Sequence, residues 1–446
     1  MSRSVTRCIA VVLSLTIVAV ACSDKKADSG SGGTVTTPTA TAIDYKAIGL
    51  WDDGPCDTTK KPLSIGLMTV FESPVISLKD QATALEASAT AFNKRGGANG
   101  ACIEVHICDD GANPDKAVAC VREIDQAGVV ATINDQGTAA QGDVSKAMTT
   151  AKIPRIASNV TNDDWGDPNA YPMDASGTGV TFLLPQALID SDVHSIGLIR
   201  VDLAAASALK GILGDIYKGD ATFPADIPVP GGTTDFSQFI LAAQQAGATG
   251  VTLSIGEQEA IQVVSAAQQL GSDIKIGASL GTFSHAAVTD LGDFAKQMSF
   301  LWSFAPATTD LPVYTALRTD LAASGEDALQ PKNLKASPMR SWIGLYATLK
   351  MIRDAKMTDF TRDGMTAMLQ AAKDVPMLNM FGGENWTPNL SHAGIFSRAG
   401  MNHWATYTWD PAAKAPDGLT GNFVENSTLS FDKVLCGSPF GGPEPC

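Results

Sequence analysis

The stretch Gly277-Ala-Ser-Leu-Gly281 is a literal G-x-S-x-G. A serine so flanked, on a tight strand-to-helix turn, can act as a nucleophile, with an acid and then a histidine following along the chain. Asp290 follows, and then His392 and His403. The next residues, Thr282-Phe-Ser-His285, leave room only for a short helix. A single hydrolase sheet would also leave the two-fold repetition described below unexplained, so hydrolysis on Ser279 stands as an alternative reading. Metal chemistry has less to build on. There are 5 histidines, scattered without the spacing of a zinc site, and no C-x-x-C pair. The acidic turn Asn162-Asp-Asp-Trp-Gly-Asp167 lacks the spacing of an EF-hand loop. No phosphate-binding glycine loop occurs, so neither a metal nor a cofactor is expected.

Cysteines form the other reactive set. Of 8, Cys8 and Cys22 lie near the start, which leaves Cys56, Cys102, Cys108, Cys120, Cys436 and Cys446. An even number in an exported chain suggests three disulfides, although six cysteines allow many pairings. Cys108 ends a strand-like run and Cys120 sits in the next helix, so these two are one expected pair. Cys436 with Cys446 could close the tail, which leaves Cys56 with Cys102.

The chain carries the address that such chemistry needs. Arg3 and Arg7 precede an apolar run from Ile9 to Ala21 that ends in small residues, the pattern of a secretory signal. Residues 22–59 read as a tether and lead-in, rich in Ser, Gly, Thr and Ala as far as residue 42. No later stretch reaches the roughly 18 apolar residues of a membrane span. Over 446 residues the net charge is −15, which argues against a nucleic-acid partner, since phosphate binding needs a basic face. Hydrophobic residues make up 44 %, too many for a disordered chain. The length suits two or three domains.

Stepping along the chain, strand and helix patterns alternate. Leu63–Val70, Ile103–Ile107, Val129–Ile133 and Pro154–Ala157 are short apolar runs, as buried parallel strands should be. Between the first two, Leu78, Ala82, Leu85, Ala89 and Phe92 form one helical stripe, stopped at Gly96-Gly97. Asn113-Pro114 opens the next helix with a cap residue and a first-turn proline. The pattern restarts with strands at Ser195–Val201 and Val251–Ile255 and helices around Leu209–Ile216, Phe236–Ala243 and Ile261–Ala267. Further helices are predicted at Leu311–Ala323, Pro338–Ala355 and Arg362–Ala372. After Phe381 the composition predicts loops and short strands. Two such series imply an α/β protein of two Rossmann-like lobes with parallel sheets.

Four stretches in this order resemble the type I periplasmic binding proteins, and within them the leucine/isoleucine/valine-binding group of ABC transporters. They are Ile65–Pro74, Val105–Asp110 with Asn113-Pro114 and Ala117, Ala131–Gln141, and Pro154–Thr161. Ala19-Val-Ala-Cys22 also resembles the bacterial lipoprotein box, with Ala19 where leucine is usual. That resemblance implies acylation of Cys22, removal of residues 1–21 and an extracytoplasmic, membrane-anchored protein. The family resemblance implies a monomeric, non-catalytic solute receptor that delivers a small polar or amino-acid-like ligand to an ABC permease; a sensory lipoprotein of the same fold is the alternative. Lobe 1 is expected at 60–184 plus 309–380, lobe 2 at 185–308 plus 381–435, and a tail at 436–446.

The resemblance also implies where ligand sits. Thr138 falls where the family binds a carboxylate at a helix start. Free N–H groups there attract anions, although Thr138 followed by Gln141 is also a capping box. Asn159 and Thr161 match the next contacting segment, and Glu72 and Ser73 the loop after the first strand. In the second lobe, Ser279 falls where the family places the acid that pairs an α-ammonium. A buried ammonium without a carboxylate is costly, so Glu72 or Glu257 would have to substitute, or the ligand is not an α-amino acid. Trp302 could pack on ligand, or serve the core or hinge.

Overall fold

The computed structural model describes residues 43–438 and 441, apart from 74–76, 137–139, 160–164, 203–205 and 391–396. The first series of elements is β1 (Leu63–Thr69), α1 (Lys79–Lys94), β2 (Ile103–Asp109), α2 (Pro114–Gln126), β3 (Ala131–Ile133), α3 (Gln141–Ala151), β4 (Arg155–Ile156) and β5 (Ala170–Tyr171). Its strands pair in parallel in the order β2-β1-β3-β4-β5. The apolar stripe of α1 buries Ala82, Leu85, Ala89 and Phe92. At its end the Gly97 N–H returns to the Phe92 carbonyl, 2.9 Å away. α2 starts as its sequence dictates: the Asn113 side chain accepts from the N–H groups of Asp115 and Lys116, with Pro114 in the first turn.

The second series is α4 (Ser176–Ile189), β6 (Ile196–Val201), α5 (Leu209–Ile216), β7 (Asp226–Val229), α6 (Ser237–Gln245), β8 (Gly250–Ser254), α7 (Glu257–Gln269), β9 (Lys275–Ser279), α8 (His285–Asp290) and β10 (Met298–Trp302). The chain then returns to the first lobe with α9 (Pro312–Ala322), α10 (Ala336–Asp354) and α11 (Arg362–Ala371). It ends in the second with β11 (His403–Lys414), β12 (Thr420–Ser430) and α12 (Phe431–Leu435). The second sheet runs β12-β11-β10-β9-β8-β6-β7. From β7 through β6, β8 and β9 to β10 the strands are parallel; β11 joins antiparallel to β10, and β12 antiparallel to β11.

Two features differ from the sequence reading. Leu184-Pro185, read as the first lobe boundary, lies inside α4, which packs on β8, β9 and β10 of the second sheet. The changeover therefore falls between β5 and α4, whose apolar residues Val180, Phe182, Leu183, Leu184 and Leu188 are buried. The region after Phe381 holds a long hairpin rather than short strands. Register shifts beside Tyr407 and after Asp410 break the period-two alternation that would reveal it. Gly421 is obligatory there: its φ is +76°, and a Cβ would stand 2.3 Å from Cζ2 of Trp409.

Both sheets reverse strand order at one point, between β1 and β3 and between β6 and β8. Ligands of open α/β sheets bind outside the carboxyl ends of strands at such points. Two expected disulfides, Cys56–Cys102 and Cys108–Cys120, are present, both in the first lobe. Cys436 is also disulfide-bonded, while Cys446, like Cys8 and Cys22, lies outside the described residues. By loop-closure entropy, removing the 46-residue closure should cost about 4 kcal/mol and the 12-residue one about 3 kcal/mol. Paired Cys→Ser variants should reproduce that ranking in denaturant unfolding.

Candidate functional site

The first-lobe wall is set by the loop that follows β3. Asn134 takes a left-handed turn (φ 57°). Its amide donates to Ser341 Oγ at 2.9 Å, and its carbonyl accepts from buried Gln81. Ser341 in turn donates to the Gln81 carbonyl at 2.9 Å, so α1, α10 and the loop form one polar knot. Next to it Asp135 meets Arg155 at 2.7 Å, both fully buried. The Gln136 N–H donates to the Met68 carbonyl at 3.0 Å, which leaves Gln136 at the rim of a cleft. After β4, the Asn159 side chain accepts from the Gly177 N–H at 3.2 Å. The end of a first-lobe strand is thereby tied to the first turn of α4.

The second-lobe wall is made by the ends of β8, β9 and β10. Ser254, Ile255 and Gly256 lead into α7, whose first turn has no side-chain cap. Ser279 Oγ accepts from the Gly281 N–H at 3.0 Å, a backbone partner rather than an imidazole. Gly281 must be glycine, because a Cβ there would meet Cη2 of Trp302 at 2.8 Å.

Two charged groups join the walls. Asp174, in the segment between β5 and α4, is completely buried. It accepts from Nη2 of Arg340 on α10 at 2.9 and 2.8 Å, from the Ser176 N–H at 2.8 Å, and from Ser303 Oγ just beyond β10. Burial opposes the Asp174 charge, but Arg340 overrides it and holds the carboxyl below its ordinary value. At the rim, Lys335 reaches Glu257 of α7 at 2.8 and 3.0 Å and Asp80 of α1 at 3.1 Å. Burial weakens the ammonium, but Asp80 and Glu257 together raise the Lys335 pKa. One cation serving two acids cannot fully compensate both, and burial leaves the Glu257 carboxyl above its ordinary value despite Lys335.

The space so enclosed is a cleft of about 250 Å³ lined from both lobes. A larger hollow of about 560 Å³ lies over α1 and α9, away from the strand ends, and draws on one lobe. Of the residues singled out in the sequence, Asn159, Glu257, Ser279 and Trp302 line the interlobe cleft. Glu72 and Ser73 are not among its lining residues; Glu72 is exposed. Thr138 and Thr161 lie outside the described residues, and α3 begins at Gln141. The sequence reading missed Gln136, Thr181, Ser254, Ser337 and Arg340. Arg340 did leave a signal: it is the one charged residue in the run from Pro338 to Leu349, every member of which is buried.

Two mostly parallel sheets, each reversing at a switch point, with a shared cleft at their strand ends, have the form of a two-lobed binding protein. The chain belongs to the periplasmic binding protein family, whose model matches residues 62–399. Solved structures of similar shape include the fatty acid ABC transporter substrate-binding protein from Thermomonospora curvata. It is 20 % identical, with a TM-score of 0.67 and coverage of 84 % of this chain and 94 % of that one. An ABC transporter solute-binding protein from R. palustris, solved with 4-hydroxybenzoate, is 14 % identical at a TM-score of 0.66, covering 83 % and 97 %. An ABC transporter substrate-binding protein from Aeropyrum pernix is 15 % identical at 0.64, covering 83 % and 96 %. These likenesses establish the fold. No curated protein sequence matches.

The Lys335–Glu257 bridge makes a pH prediction. A carboxyl whose folded pKa is raised contributes stability below its unfolded pKa and loses it as pH rises through the folded one. Lys335→Met removes the opposing cation and raises the Glu257 pKa further. Melting temperatures between about pH 4 and about pH 8 should therefore fall more steeply with rising pH in the variant than in the parent.

Proposed function

We propose that this protein is the extracytoplasmic solute receptor of an ABC importer, without catalysis of its own. A small polar or amino-acid-like solute enters the interlobe cleft, the lobes close on it, and the closed form docks on a membrane permease that takes the solute inward. Cys22 carries the lipid, residues 22–59 tether and lead into the binding unit, and a single copy suffices.

The observation that carries this reading is the cleft itself. Its walls come from two lobes, Gln136 and Asn159 on one side and Ser254, Glu257 and Ser279 on the other, so only closure completes the contacts. The Lys335–Glu257 bridge supports it, because it spans the lobes at the rim and has to break for the cleft to open. Family membership and the transporter proteins of the same fold add support for import.

A thermal-shift screen tests the reading. With amino acids, amides, carboxylic acids and polyols as probes, a solute at a hundred times its dissociation constant should stabilise the protein by about 2.7 kcal/mol. Ser337→Trp, which places an indole on the cleft wall, should abolish that response while the variant remains folded. Silence across all four classes would overturn the receptor assignment. For the anchor, Cys22→Ala should release the protein from the membrane fraction.

A further inference from the structure

Arg340 is 2 % exposed, yet only part of its guanidinium is used. Nη2 serves Asp174, while Nη1 is buried and has no hydrogen-bond partner. Arg340 lines the interlobe cleft from the first lobe. Facing it from the second lobe is Trp302, which also lines the cleft and whose Nε1 is likewise buried without a partner. The guanidinium carbon lies 5.9 Å from the centre of the Trp302 ring. Ser254 Oγ, on the same wall, is a third unpartnered group.

Arginine and the indole N–H donate and cannot accept. A buried donor left unsatisfied costs free energy that an incoming acceptor recovers. The uncapped first turn of α7 opens onto the same cleft at Gly256 and adds backbone N–H groups, which favour an anion. The complementary requirement of an amino acid is not met. Among the described lining residues the only carboxylate is Glu257, and both of its oxygens are bonded to Lys335. An α-ammonium would have to share that carboxylate with Lys335. Leu78, Val180, Leu253, Ile255 and Phe283 add an apolar stretch of wall beside the neutral polar groups of Gln136, Asn159, Ser279 and Ser337.

We infer that the cleft is built for a small organic acid with a carboxylate head, a short apolar body and no α-ammonium, its oxygens accepting from Arg340 Nη1 and Trp302 Nε1. The guanidinium then bridges two carboxylates, Asp174 on one edge and the solute on the other, as its planar fork allows. This rests on the solute-receptor reading above and narrows it to one ligand class.

Isothermal titration at neutral pH with the full exported protein tests the inference. The probes are 4-methylpentanoate and benzoate, their amides 4-methylpentanamide and benzamide, and leucine. Each acid should bind at least about tenfold more tightly than its amide, and 4-methylpentanoate more tightly than leucine by a similar factor. Arg340→Lys keeps a cation for Asp174 but loses the fork, so it should erase the preference of acid over amide. Trp302→Phe removes only the N–H and its pyrrole ring, and should weaken the acids more than the amides. An amide or leucine binding as tightly as the acids would overturn the inference and leave the receptor reading standing. So would failure of the acids while another solute class stabilises the protein. If no solute of any class binds, both are overturned.

Discussion

The pair between Asp174 and Arg340 sits where the chain must cross between its lobes, and the rest of the architecture is arranged around it. Two buried charges are expensive to desolvate, and the cost is offset only when every lone pair finds a donor. Here Asp174 comes from the first crossing, Ser303 from the second, and Arg340 from the first-lobe helix α10. The third crossing closes on the same place: the Ala305 N–H bonds the Met380 carbonyl at 3.1 Å, and Phe304 packs on Phe381 at 5.4 Å. Three strands of chain thus meet at one polar knot clad in aromatic rings. Losing one member of such a pair leaves the other charge stranded, at a cost of about 3–5 kcal/mol.

That constraint connects stability to function. A hinge must bend without losing the register of the lobes, and a buried ion pair at the crossing holds register better than apolar contacts that slide. The same guanidinium lines the cleft, so the group that ties the crossing together also forms part of the cleft wall. At the opposite rim Lys335 and Glu257 provide a weaker, partly exposed fastening between α10 and α7. A strong pair at the pivot and a breakable pair at the rim suit the opening and closing that the proposed receptor function requires.

Much of this architecture was legible in the residues. The strands β1, β2, β6 and β8 announce themselves as apolar runs, and Asn113-Pro114 marks the start of α2 because cap chemistry is local. The lobe repetition and the pairing of Cys108 with Cys120 follow from similarly short-range patterns. The site was less legible. Asn159, Glu257 and Ser279 could be placed near the cleft through the family resemblance, but what they bond could not. Glu257 looked available for a ligand until Lys335, 78 positions away, took both its oxygens. Arg340 went unnoticed because its partner, Asp174, lies 166 positions upstream, and no local pattern encodes such a distance. The β11–β12 hairpin was hidden for another reason, its bulges having scrambled the alternation.

The most direct test of the account is isotope-edited NMR of the arginine guanidinium groups, with Arg340 assigned through its lysine variant. Before any solute is added, the Arg340 Nη groups should give separate, slowly rotating signals, because Asp174 locks one edge of the fork. On titration with an organic acid that stabilises the protein, the Nη1 protons should shift and those on Nη2 should stay nearly fixed. A stabilising solute that leaves Arg340 unmoved, or a guanidinium that rotates freely without one, would contradict the claim that this pair anchors both the hinge and the binding site.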